Sequence, residues 1–390
     1  MATRETLQEE LKIAVFGCWN QNGCTNDSGL KLVSDRLRQE VNISPNKYNF
    51  LVVLGDNYYP IKVKNKVLGI NYKLTDMKEA EEGFKCLDNI PIEKKIIIGN
   101  HDIENHIDKD CSVLKSMLKL PWYDVKFPFS YDLYYIADQN ILMFYLDTTL
   151  YDKDLTGYTC YDRVTGIPRE DLKQQQHEFI LRILEEQMDK HKNIKNIIFY
   201  GHEPLFAMKA QKKDKEKKED GNYKETKIQE LLEFIFDLNN IYPTLTFTWI
   251  CADYHVYQNT RLTRISDSGN DISINQLIFG TGGGDLDSVD VNIPGGNNNI
   301  FSLKTDSAEY RLSILSNMSD LHDLSTHGIA KYGYGEITIN SSGVSHTFIN
   351  CGLLTTISTV TDSLETFTKE KRKYLKYKQK YLELKKLINN

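Results

Sequence analysis

Seven short apolar runs punctuate the chain: Lys12 to Phe16, Phe50 to Leu54, Lys95 to Ile98, Ile141 to Leu146, Asn196 to Tyr200, Leu245 to Cys251 and Gln276 to Phe279. Each is rich in Val, Ile, Phe or Tyr and too short for a buried helix, so each predicts a buried strand. Helical patterns lie between several of them. From Asp171 to Lys190, Phe179, Ile180, Ile183, Leu184 and Met188 recur at three- and four-residue spacing. From Thr226 to Leu238, Ile228, Leu231, Leu232 and Ile235 share one face. Strands alternating with helices predict an α/β protein layered around a central sheet system.

Four stretches break that rhythm. Lys209 to Asp220 is a run of mixed charge that reads as a solvated loop. Val289 to Asn299, rich in Gly and Asn, reads as a second loop. Residues 351–368 are rich in Ser and Thr and predict a linker. Residues 369–390 predict a basic amphipathic helix, with Tyr374, Tyr377, Tyr381, Leu384 and Ile388 at the alternating spacing of a coiled-coil seam. About two heptads is short for an isolated coiled coil, so two readings stay open for the tail: a solvated, frayed basic helix, or one that self-associates or takes a partner helix.

Composition narrows the class. With 40% hydrophobic and 26% charged residues the chain is an ordinary globular one, and 23 Tyr and 16 Phe suit a strand-rich core. The net charge of −6 hides an uneven distribution. Residues 369–390 contribute +7, which leaves −13 on the remainder, so no nucleic acid is expected as a partner. No run approaches a transmembrane span, and the N-terminus lacks the apolar core of a secretory signal. Seven irregularly spaced cysteines predict scattered thiols and a reducing compartment. The location expected is therefore intracellular: host cytoplasm, or virion if the protein is viral.

Candidate chemistry sits at the C-terminal ends of the predicted strands, where open α/β sheets bind ligands. The segments are Gly17-Cys18-Trp19-Asn20, Gly55-Asp56-Asn57-Tyr58-Tyr59, Gly99-Asn100-His101-Asp102, Gly201-His202-Glu203-Pro204 and Ala252-Asp253-Tyr254-His255. Singly each is weak, and a lone His after a strand is more often structural. Together and in this order they resemble the calcineurin-like metallophosphoesterase superfamily. Within it, Gly-Asp-Asn-aromatic-Tyr, Gly-Asn-His-Asp and Gly-His-x-Pro are similar to the purple acid phosphatase branch. The resemblance covers residues 11–350, and Gly280-Thr281-Gly282-Gly283-Gly284 resembles the closing Gly-rich turn, read here as a tight backbone turn. The tail string KYLKYKQKYLELKK resembles C-terminal tails of giant-virus (mimivirus-like) proteins.

The resemblance implies a four-layer αββα sandwich, two mixed sheets flanked by helices, carrying two metal ions of Fe, Zn or Mn. It implies Asp56 as the bridging ligand, Tyr59 and His255 on one ion, and Asn100 and His202 on the other. It further implies His101 as the group that binds phosphate or protonates the leaving oxygen, with Asp102 orienting that imidazole. His106 is close enough in sequence to reach the same pocket. The activity implied is hydrolysis of a phosphomonoester by a metal-activated water, the substrate being a phosphorylated small molecule or a phosphoprotein.

Two positions depart from the family pattern. Cys18 stands where the first strand ordinarily delivers Asp, and Asp253 stands where the Gly-His-x-His motif has its first His. Either can ligate a metal: thiolate favours zinc or iron, and carboxylate suits harder ions. The alternative is a catalytically impaired pseudophosphatase retained as an interaction or virion component.

Overall fold

The computed structural model describes residues 9–352 apart from 22, 26–27, 60, 66–69, 75–76, 104–110, 121–122, 137–138, 153–159, 208–225, 267–268, 270, 285, 287–299, 306 and 316–330. The loops at 209–220 and 289–299, His106, the 353–368 part of the linker and the 369–390 tail all lie outside the described residues. Cys351 and Gly352, read above as linker, are the end of the last strand.

Two mixed sheets account for most of the strands. The six-stranded sheet takes its centre from β1 (Glu10–Phe16), β2 (Phe50–Leu54) and β5 (Glu93–Ile97), which run parallel. The two-residue β6 (Asp124–Val125) closes one edge. The antiparallel hairpin β15 (Tyr332–Asn340) and β16 (Gly343–Gly352) closes the other, against β1. A two-stranded ribbon, β3 (Ile61–Asn65) and β4 (Ile70–Leu74), stands apart.

The eight-stranded sheet has a parallel centre of β8 (Gln139–Tyr145), β9 (Ile194–Tyr200), β10 (Thr246–Cys251) and β12 (Ile272–Phe279). Antiparallel β7 (Ser130–Ile136) flanks it on one side, and β11 (Tyr257–Ile265), β14 (Glu309–Ile314) and β13 (Ile300–Lys304) on the other. The helices are α1 (Gly29–Ile43), α2 (Met77–Asp88), α3 (Asn100–Ile103), α4 (Ser112–Met117), α5 (Cys160–Thr165), α6 (Arg169–Lys190) and α7 (Gln229–Ile241).

Period-two alternation sorts the core into layers. Ile13 and Val15 of β1, Phe50, Val52 and Leu54 of β2, Ile141, Met143 and Tyr145 of β8, and Ile198 and Tyr200 of β9 form one buried cluster shared by both sheets. The intervening Ala14, Phe16, Leu51, Val53, Leu142, Phe144, Ile197 and Phe199 belong to a second cluster with Leu30, Val33 and Leu37 of α1 and Ile180 and Leu184 of α6. Strands buried on both faces read as unbroken apolar runs, which is why the sequence shows them plainly. The two sheets therefore pack on each other and carry helices outside, the layered α/β sandwich expected.

The cysteines correct the sequence reading. Cys24 pairs with Cys86 and Cys111 with Cys160, with Cα atoms 5.6 and 5.5 Å apart. Cys18, Cys251 and Cys351 stay outside disulfides. Partners 62 and 49 residues apart have no local signature, because only the fold brings them within bridging distance. The reducing compartment inferred from scattered thiols loses its support.

Candidate metal centre

The parallel strands aim their C-terminal ends at one place, and backbone hydrogen bonds tie the following loops together. Cys18 N–H donates to Gly55 O at 3.2 Å, and Ala252 N–H donates to His202 O at 2.9 Å. Gly284 N–H donates to Cys18 O at 2.6 Å, so the Gly-rich turn after β12 lies directly against the Cys18 loop. A Cβ on Gly284 would sit 2.8 Å from that oxygen and 2.9 Å from the His255 ring. The glycine is there for close approach, as a tight turn requires.

Backbone strain marks the same spot. Cys18, Asp56 and Asp253 adopt left-handed conformations, with φ of 53°, 52° and 55°. Such conformations cost a non-glycine residue roughly 1–2 kcal/mol each and persist where the surroundings over-determine them.

Asp56 is the hub. Its Oδ1 accepts from the His101 backbone N–H at 3.1 Å and lies 3.1 Å from His202 Nε2. Its Oδ2 accepts from the Cys18 thiol at 3.8 Å. His202 Nε2 also lies 3.1 Å from Asn100 Oδ1, while Nδ1–H donates to Leu54 O at 2.7 Å. That backbone bond fixes the ring with Nε2 facing the site, the orientation a ligating imidazole needs. Tyr59 OH is 3.1 Å from His255 Nε2, and the His101 ring lies against the Tyr59 ring at 4.7 Å. Asp102 turns inward: its Oδ2 accepts from Gly99 N–H and Asn57 Nδ2, both at 2.8 Å. These bonds brace the loop that carries His101.

Burial sets the electrostatics. On its own it would raise Asp56, but the His202 and His101 charges and hydrogen bonds prevail and hold that carboxyl well below its ordinary range. Burial likewise works against charge on His202, and Asp56 overcomes it, raising the imidazole to about 10. Burial and then the charge of Asp56 push Asp102 up to about 7. Burial, followed by the charges of Asp56 and Cys18, drives the Tyr59 phenol well above its usual value.

The donors fit a metal ion. Cys18 Sγ, a carboxylate oxygen of Asp56 and an imidazole nitrogen of His202 all lie within 4.8 Å of one another, and all three residues are buried. Soft sulfur, carboxylate and imidazole are a zinc- or iron-type set. A proton on buried His202 partly offsets the negative groups around it, and a cation binding there would displace it.

Residues outside the predicted set also face the centre. Lys227 Nζ lies 3.2 Å from Asp253 Oδ2 and 3.5 Å from Oδ1. Glu203 is fully buried beside His202, its carboxyl raised to about 8 mainly by burial, and it accepts from the Thr148 hydroxyl. Asn57 donates to Ile97 O as well as to Asp102. Asn57 and Glu203 lie inside the motifs and were legible there. Lys227 follows a highly charged stretch and carries no local signal.

A layered sandwich of two mixed sheets flanked by helices, with its candidate donors at the parallel strand ends, is consistent with the metallophosphoesterase fold. The calcineurin-like phosphoesterase family model matches residues 11–257, and the chain belongs to that family. A comparison with curated protein sequences gives no significant match. Among solved structures, GAP50, the anchor in the inner membrane complex of Plasmodium, superposes with a TM-score of 0.48 at 12% identity, over 88% of this chain and 85% of that one. The 5'-nucleotidase of Candida albicans SC5314 superposes with a TM-score of 0.42 at 12% identity, over 96% of this chain and 58% of that one.

Proposed function

We propose that the protein is a metal-dependent phosphoesterase that hydrolyses phosphomonoesters, its substrate a phosphorylated small molecule or a phosphoprotein. The observation that carries this reading is the buried convergence of Cys18, Asp56 and His202 donors at the strand ends of a calcineurin-like phosphoesterase domain. A metal held there would neutralise phosphate oxygens and lower the pKa of a bound water.

The chain's own groups have separate tasks in this reading. Asp56 stays ionised and ready to ligate, because His101 N–H and the His202 ring hold its Oδ1. Tyr59 OH lies 3.1 Å from His255 Nε2 and Asn100 Oδ1 3.1 Å from His202 Nε2, and these two pairs are the further donors in this reading. The His101 ring, packed at a tilt against Tyr59, binds the phosphate or returns a proton to the leaving oxygen. Asp102 acts through the loop backbone, holding His101 in place by its bonds to Gly99 and Asn57. The purple acid phosphatase-like branch rests on Tyr59. An iron-loaded sample should show a tyrosinate charge-transfer band in the visible that Tyr59→Phe abolishes.

One observation favours a second reading, the catalytically impaired pseudophosphatase: the Lys227 ammonium already neutralises Asp253. Elemental analysis of chelator-free protein, paired with p-nitrophenyl phosphate hydrolysis under Zn²⁺, Fe³⁺ or Mn²⁺, separates the two. The enzyme reading expects bound metal and turnover, with Asp56→Asn losing both: hydrolysis falls at least 100-fold, an effect on the order of 3 kcal/mol. Bound metal without turnover by the wild type would leave the pseudophosphatase.

A further inference from the structure

The two halves of the centre differ in what neutralises them. On one side Cys18 and Asp56 pair a thiol with a carboxylate, and Tyr59 and His255 pair a phenol with an imidazole. Cys18 Sγ is 3.8 Å from Asp56 Oδ2, and Tyr59 OH is 3.1 Å from His255 Nε2. These are donors that a cation can organise.

The side of Asn100, His202 and Asp253 is built differently. Asp253 sits where the family motif has a histidine, and both its oxygens face Lys227 Nζ, at 3.2 and 3.5 Å. The Asp253 and Lys227 side chains are only 7% and 18% exposed, so water screens the pair weakly. Asp253 Oδ1 is also 3.8 Å from His202 Nε2, which lies 3.1 Å from Asp56 Oδ1. Lys227, Asp253, His202 and Asp56 thus form a continuous chain of close contacts from the entry of α7 to the hub. A metal ion bound by Asn100, His202 and Asp253 would have to take Asp253 from an ammonium and then remain beside that ammonium. Like-charge repulsion in a poorly solvated place opposes it.

We propose that the centre takes a single metal ion, held by Cys18 and Asp56, and that Lys227, by keeping Asp253 in an ion pair, withdraws that carboxylate from the ligand set of a second ion. Replacing a family histidine by Asp253 then has a physical rationale. A neutral imidazole accepts a hydrogen bond from an ammonium but does not compensate its charge, whereas a carboxylate does both, and the lysine arrives from a segment that carries none of the strand-end motifs. The inference rests on the reading of the site as a metal centre.

Isothermal titration of Zn²⁺ into chelator-treated full-length protein, checked by elemental analysis, tests the stoichiometry without recourse to turnover. Wild type is expected to bind one ion per chain, and Lys227→Met to bind a second. Cys18→Ser should weaken the first ion at least tenfold and abolish the thiolate-to-metal band of the Co²⁺-loaded protein. Near-ultraviolet circular dichroism verifies that each variant is folded. Two ions per chain in wild type would overturn the inference and leave the metal-centre reading intact. So would one ion in folded Lys227→Met, or unchanged affinity in folded Cys18→Ser. No bound ion in either wild type or Lys227→Met would overturn the metal-centre reading itself, and the inference with it.

Discussion

At the scale of single residues, the centre depends on backbone placement as much as on donor chemistry. Asp56 reaches its position only because Gly99 has no side chain: a Cβ there would stand 2.2 Å from Asp56 N and 2.5 Å from its Oδ1. Both atoms belong to a rigid loop held in the left-handed conformation, so neither can yield cheaply. Gly99→Ala should therefore destabilise the fold by about 2 kcal/mol or more, seen as a lower denaturant midpoint, and should weaken metal binding with every ligand retained. Unchanged stability together with unchanged metal affinity would contradict this account of the Asp56 loop.

At the scale of elements, the motif loops are stapled from outside. The Cys24–Cys86 bridge joins the segment after Cys18 to α2, and Cys111–Cys160 joins the start of α4 to the start of α5. Thiol titration of non-reduced, denatured protein is expected to find three reactive thiols per chain, those of Cys18, Cys251 and Cys351. Seven would show that neither bridge forms. Removing one bridge by a paired Cys→Ser change should cost about 2–5 kcal/mol of stability. Elements with strong local patterns were readable from the sequence: β2, buried on both faces, spans Phe50–Leu54 as its apolar run predicts, and α6 and α7, each buried along one face, follow their helical periodicities. The hairpin of β15 and β16 was not, because Glu336, Thr338 and Asn340 interrupt its apolar positions and leave no continuous run.

At the scale of the whole molecule, the hairpin is held to α1 and to the turn before β2 by a polar knot. Glu40 accepts from Lys47, Tyr48 and Tyr334 at 2.6, 2.9 and 2.8 Å and from Arg36 at 2.8 Å. Burial alone would raise this carboxyl, but those bonds lower it to about 2. Glu40 therefore titrates lower in the folded chain than in the unfolded one. Its contribution is complete above about pH 5 and disappears as the pH falls toward 2. Chemical denaturation at pH 7 and pH 3 should show the wild type losing more stability than Glu40→Gln over that interval, by on the order of 1–2 kcal/mol. Equal losses would mean that the knot contributes nothing to the pH dependence. In the described residues no helix is long and apolar enough to cross a membrane.

By itself the sequence determined the layered α/β architecture and the five segments from which Cys18, Asp56, Asn100, His101, His202 and Asp253 come. Both follow from local signals: strand-length apolar runs, and short polar motifs at their ends. Only the tertiary structure decided which cysteines pair, which way Asp102 faces and what neutralises Asp253. Each of those depends on groups distant in the chain, such as Lys227 beside Asp253 or Cys24 beside Cys86, whose meeting is set by packing and leaves no periodicity to read.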